Sequence, residues 1–92
     1  MGQASLHAIV HGRVQGVHFR HYAAREAARL SLRGWVRNCP DGTVEVQAAG
    51  DAASLDAFLD WLHKGPPAAR VTGVDAARGT ESDFPPGFHI TG

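Results

Sequence analysis

Residues 12–20 (Gly12-Arg13-Val14-Gln15-Gly16-Val17-His18-Phe19-Arg20) place cations where a helix should begin, which suits capture of a multiply charged anion. The first amides of a helix lack intrahelical partners and the macrodipole is positive there, so an ordinary first turn recruits Asp or Glu. Here His18, Arg20 and His21 stand instead. Setting a guanidinium beside that positive end costs roughly 0.3–1 kcal/mol, a cost that makes sense when an anion lies against both. Gly12 and Gly16 lack a Cβ, can adopt positive φ and let successive amides converge on one point. On this segment alone a plainer alternative stays open: a turn that needs Gly16, followed by an Arg whose stem packs while its head stays in water. Asn38 is the second candidate. At the end of a strand it is either a turn former or, if the first two strands lie side by side, an amide that holds a water against an anion bound by residues 15–20.

Other chemistries lack their residues. Neither Gly-Lys-Ser/Thr nor G-x-G-x-x-G occurs, so a nucleotide cofactor has no cradle. A cysteine phosphatase needs Arg six positions after its Cys, and six after Cys39 stands Glu45, which would repel phosphate. Cys39 reads as a small half-buried side chain beside a turn. His18 and His21, spaced i, i+3, have no nearby Asp, Glu or Cys to complete a metal shell, so no metal is expected. Ser5, Ser31, Ser54 and Ser82 show no patterned His and acid partners. The first half is Arg-rich, but aromatics do not interleave with the basic residues and the RNA-recognition signature is missing, which disfavours nucleic acid.

The elements that position these residues follow from periodicity. Alternation from Leu6 to Val14 predicts a strand with one buried face. Phe19, Ala23, Ala27 and Leu30 recur at helical spacing and predict a helix over about 20–31. Strands are predicted over 32–38 and 44–48, joined by Pro40-Asp41-Gly42, and Trp35 reads as core. Asp51 is placed as N-cap of a second helix carrying Leu55, Phe58, Leu59 and Leu62 on one stripe and closing at Gly65-Pro66-Pro67. A strand over 71–77, a loop over 79–87 and a short apolar segment at Phe88-His89-Ile90 complete the chain. The order β-α-β-β-α-β predicts an α+β ferredoxin-like sandwich, two helices packed on one face of an antiparallel sheet.

Ninety-two residues predict one domain over 1–92 with one modest core. Net charge is zero but unevenly spread, six Arg against Glu26 in residues 1–40 and three basic against eight acidic groups thereafter, so the cationic half contains the proposed anion loop. Met1 to Ala8 has neither a basic start nor a long apolar run, and the myristoylation pattern opened by Gly2 fails at Leu6, so a cytoplasmic protein without a membrane partner is expected. A monomer is expected as well.

With these residues in view, GRVQGVHFR at 12–20 together with GWVRNCPDGTVEV at 34–46 resembles the acylphosphatase family, and Gly65-Pro66 and Phe88-x-Ile90 extend the likeness over nearly the whole chain. The resemblance implies hydrolysis of small-molecule acyl phosphates on a ferredoxin-like fold, without metal, cofactor or covalent intermediate. It assigns phosphate binding to Arg20, water positioning to Asn38, and the anion cradle to the amides of Gln15, Gly16, Val17, His18, Phe19 and Arg20. Inorganic phosphate and sulfate are then competing anions. Two departures stand out: Ser31 where the family commonly has Gly, and Thr91-Gly92 where a basic or aromatic residue is frequent. A non-catalytic ferredoxin-like module that binds anions or RNA is the alternative.

Overall fold

Alternation of buried and half-buried side chains along most of each central strand gives it one face for the core. Leu6, Ala8 and Val10 are buried on β1 (Gln3–Arg13), Val36 on β2 (Arg33–Asn38), and Val44, Val46 and Ala48 on β3 (Val44–Asp51). Two helices cover that face. Helix α1 (Phe19–Arg29) buries Phe19, Ala23 and Ala27, and α2 (Ala52–Lys64) buries Leu55, Phe58 and Leu62. Each fully buried Leu, Val or Phe stabilises the fold by about 1.5–3 kcal/mol relative to exposure. The computed structural model describes residues 3–80 and 84–92. Strand β4 (Arg70–Gly79) and β5 (Phe88–Thr91) complete a sheet of order β4-β1-β3-β2-β5.

The α+β sandwich with helices on one face is the architecture the sequence predicts, with three corrections. First, β3 lies between β1 and β2, so the first two strands are not neighbours. Both pair antiparallel with β3 and hence run parallel to one another, so their C-terminal ends still share one end of the sheet. Val44 is opposed by Val10 on one side and Asn38 on the other, which sets Asn38 two strand spacings, roughly 10 Å, from β1 at that level. Second, β5 pairs parallel with β2, so the sheet is mixed rather than wholly antiparallel. Third, Trp35 belongs to the uncovered face, half-buried beneath Arg37, whose guanidinium carbon lies 5.9 Å from the ring centroid. Its neighbours Gly34 and Val36 are the buried ones, as a period of two requires.

The ends of the helices carry the remaining differences. Asp51 sits at the N-cap of α2 but makes no side-chain capping hydrogen bond. Helix α1 stops at Arg29 because the chain closes in a Schellman motif: Leu32 N–H donates to Ala27 O at 2.9 Å and Ser31 N–H to Ala28 O at 3.0 Å. Ser31 occupies the left-handed position that this motif reserves for glycine, at φ 58°. Within the predicted 79–87 loop, Gly79 still belongs to β4, while residues 81–83 lie outside the described residues, as do Met1 and Gly2. Among the described residues no helix is long and apolar enough to cross a membrane.

Candidate active site

The segment between β1 and α1 carries its unusual backbone in the places where the sequence puts Gly16 and His18. Gly16 has φ 75°, and a Cβ built there would touch nothing within 4 Å, so glycine is required by the backbone angle and not by space. Gly12 answers to a different constraint. It belongs to β1, beside a register shift against β4, and a Cβ there would fall 2.1 Å from Arg70 O. His18, the N-cap of α1, is left-handed at φ 62°, ψ 26° and makes no capping hydrogen bond. A non-glycine residue in that region is uncommon and strained, and such strain concentrates at functional sites.

This conformation leaves amides free. Among the described residues, none of the N–H groups of residues 15–20 donates to a main-chain oxygen, the first bond of the helical type being Tyr22 N–H to His18 O at 3.1 Å. Alternating left-handed and ordinary residues turn consecutive N–H groups toward one side, and the positive end of α1 adds to the field. Beside them opens a cleft of about 320 Å³ lined by Val14, Gly16, His18, Phe19, Arg20, His21 and Asn38. No carboxylate is among those residues.

The fold therefore brings Arg20 and Asn38 to one cleft from positions 18 residues apart. Arg20 is half-buried, and its Nη1 donates to the main-chain oxygen of Gly92 at 2.7 Å. The contact is made by backbone, so it does not depend on the basic or aromatic side chain that Thr91-Gly92 lacks. Asn38 shares the inner face of β2 with Gly34 and Val36 and is half-buried at the strand's end. Phe19 is buried as well as lining the cleft, with its ring centroid 5.4 Å from that of Trp61 on α2. Its packing fixes the start of α1. Gly65, which ends α2 at φ 71°, faces the same ring, since a Cβ there would lie 3.0 Å from Phe19 Cε2.

Gln15 and Val17 do not line the cleft. Val17 is buried in the core, and the Gln15 side chain reaches away to the β2–β3 turn, its Nε2 donating to Cys39 O at 2.8 Å and Thr43 O at 2.9 Å. Only their main chain is available to a cradle. His18 and His21 are exposed on the rim with ring centroids 6.1 Å apart. Among the described residues no three of His, Cys, Asp and Glu gather as a metal ion would need.

A sequence model of the acylphosphatase family matches residues 6–90, which contain both motifs and the whole cleft apart from the Gly92 oxygen. The chain belongs to the acylphosphatase family. It is 46% identical to an acylphosphatase of Thermococcus kodakarensis over all 92 residues of both chains, and 61% identical to one of Methylococcus capsulatus over 70 residues, 76% of each. The crystal structure of acylphosphatase from Bacillus subtilis superposes with a TM-score of 0.93 at 35% identity, covering 96% of this chain and 98% of that one. Activity on acyl phosphates thus goes with a cleft whose charged lining is cationic. Two features of this acylphosphatase carried no signal in the sequence: the destination of the Gln15 amide, and the contact of Arg20 with the Gly92 oxygen. Both are long-range and end on main-chain oxygens, which every residue possesses.

Proposed function

We propose that this acylphosphatase cleaves its substrate by direct attack of a water held by Asn38 on a phosphoryl group gripped by Arg20 and the free amides of residues 15–20. The observation that supports this most is the shared cleft: one fixed cation, a row of unpaired N–H groups and a side-chain amide, with no carboxylate or thiol among the lining residues. The P–O bond to the acyl group breaks as the water oxygen bonds to phosphorus, and the electron pair leaves with the carboxylate. Because the conjugate acid of that leaving group has a pKa near ~4, no general acid is required. The proton of the attacking water passes to a phosphoryl oxygen of the substrate. Arg20 and the amides stabilise the equatorial oxygens and hold the phosphoryl group in line with the water, so positioning and electrostatics supply the rate.

On this reading a metal is dispensable, and inorganic phosphate or sulfate competes by filling the tetrahedral anion site. The acting species is a cytoplasmic monomer. The test is release of phosphate from benzoyl phosphate after dialysis against EDTA. Full activity with competitive inhibition by phosphate is expected. Activity lost on dialysis and restored by Mg²⁺ or Zn²⁺, or a phosphocysteine trapped at Cys39, would contradict the mechanism.

A further inference from the structure

The turn that follows Asn38 is closed by its own hydrogen bonds before Gln15 is considered. Gly42 N–H donates to Cys39 O at 3.1 Å and Cys39 N–H to Thr43 O at 2.9 Å. Asp41 Oδ1 accepts from Thr43 N–H at 3.1 Å and from its hydroxyl at 2.7 Å. The same two carbonyls, Cys39 O and Thr43 O, then receive both protons of the Gln15 amide. Neither oxygen would be orphaned without Gln15, so these bonds are not what makes the turn. What they add is a rigid link between two parts of the cleft. Gln15 directly precedes Gly16, where the cradle opens, and Cys39 directly follows Asn38, which stands opposite Val44 next to Thr43.

From this geometry we infer that Gln15 is a positioning residue for the reaction: its side chain fixes Asn38, and the water Asn38 holds, at the correct distance from the anion cradle. The inference rests on the water-holding role of Asn38. An amide suits the task because its two N–H groups diverge from one nitrogen and meet two carbonyls at once. The reacting geometry is sensitive to this link, since a displacement of about 1 Å can cost on the order of 100-fold in rate. The amide does not touch the substrate, whose phosphoryl group is held by Arg20 and main-chain N–H groups. Loss of the link therefore moves the water and leaves phosphate affinity in place.

The experiment is a double-mutant cycle between Gln15→Met and Asn38→Ala, reading kcat and the inhibition constant of inorganic phosphate in each protein. Met keeps length and bulk without a donor. Gln15→Met alone is expected to lower kcat by about 10- to 100-fold with a phosphate inhibition constant within about twofold of wild type, which also certifies that the cradle is folded. In the Asn38→Ala background the same substitution should have almost no further effect on kcat, because the group it positions is gone. Gln15→Glu should be at least as impaired at neutral pH, since its carboxylate presents acceptors to two carbonyl oxygens. Wild-type kcat in Gln15→Met, or a full multiplicative loss in the Asn38→Ala background, overturns the inference and leaves the reading of Asn38 intact. Wild-type kcat in Asn38→Ala overturns both.

Discussion

Arg20 carries two demands that a single cation could not meet by charge alone. Its Nη1 donates to the Gly92 oxygen at 2.7 Å, and in the proposed mechanism its other donors take a phosphoryl group in the cleft. A planar guanidinium offers five donors in a fixed fork and so serves both partners at once, whereas an ammonium is a compact point charge on a flexible stem. Arg20→Lys should therefore keep measurable phosphate binding while losing most of kcat, on the order of 100-fold by analogy with the loss of one preorganised donor. Steady-state kinetics on benzoyl phosphate check this. Wild-type kcat in Arg20→Lys would mean that charge without geometry suffices. The presence of Arg20 and Asn38 in one cleft was legible in the sequence because each stands in a recognisable motif, Arg20 in the first turn of α1 and Asn38 at the end of β2. The side-chain directions of Gln15 and Val17 were not, since a cradle built of amides imposes no side-chain pattern.

Among the elements, α1 is bounded by two left-handed residues that are not glycine, His18 at 62° and Ser31 at 58°. One end belongs to the site and the other to the fold, and they separate by mutation. Ser31→Gly removes the steric penalty of the left-handed region, roughly 1–2 kcal/mol, against a glycine entropy cost of roughly 0.5–1 kcal/mol. The expected result is a gain of about 1 kcal/mol in urea unfolding with unchanged kcat; a loss of stability would mean that the Ser31 side chain contributes more than its backbone strain costs. Gly16→Ala introduces the opposite change at φ 75° and should, by the same balance, lose about 1 kcal/mol and weaken phosphate binding together. Periodicity made the elements themselves readable, because Leu6, Ala8 and Val10 or Leu55, Phe58 and Leu62 declare their buried faces. It could not show that β3 inserts between β1 and β2, nor that β5 joins parallel to β2. Four residues, Phe88–Thr91, carry too little pattern to reveal their partner.

At the scale of the whole molecule, the uncovered face of the sheet and the covered one do different work. On the uncovered face Glu45 joins His7 at 2.7 Å and Arg37 at 2.7 Å, bracing β1, β3 and β2 across the sheet. The hydrogen bond from the His7 ring, then Arg37, holds the Glu45 carboxyl below its ordinary value of 4.5. A folded pKa that is depressed contributes stability above the unfolded value and loses it as pH falls through the folded one. Glu45→Gln should thus flatten the acid limb of stability below about pH 4.5, with a loss at neutral pH of no more than about 1 kcal/mol, as measured by urea unfolding across pH. An unchanged acid limb would remove Glu45 from that account. The covered face delivers the site: because β1 and β2 run parallel with β3 between them, the loop after β1 and the end of β2 meet at one end of the sheet. The claim that the two residues gathered there divide the work, Arg20 on the phosphoryl group and Asn38 on the water, is tested most directly by measuring kcat and phosphate inhibition side by side in Arg20→Gln and Asn38→Ala, with folding verified by circular dichroism. Both variants should lose about 100-fold or more in kcat, while phosphate affinity collapses in Arg20→Gln and stays near wild type in Asn38→Ala. Full kcat in folded Asn38→Ala, or a loss of phosphate affinity as severe as that of Arg20→Gln, would contradict it.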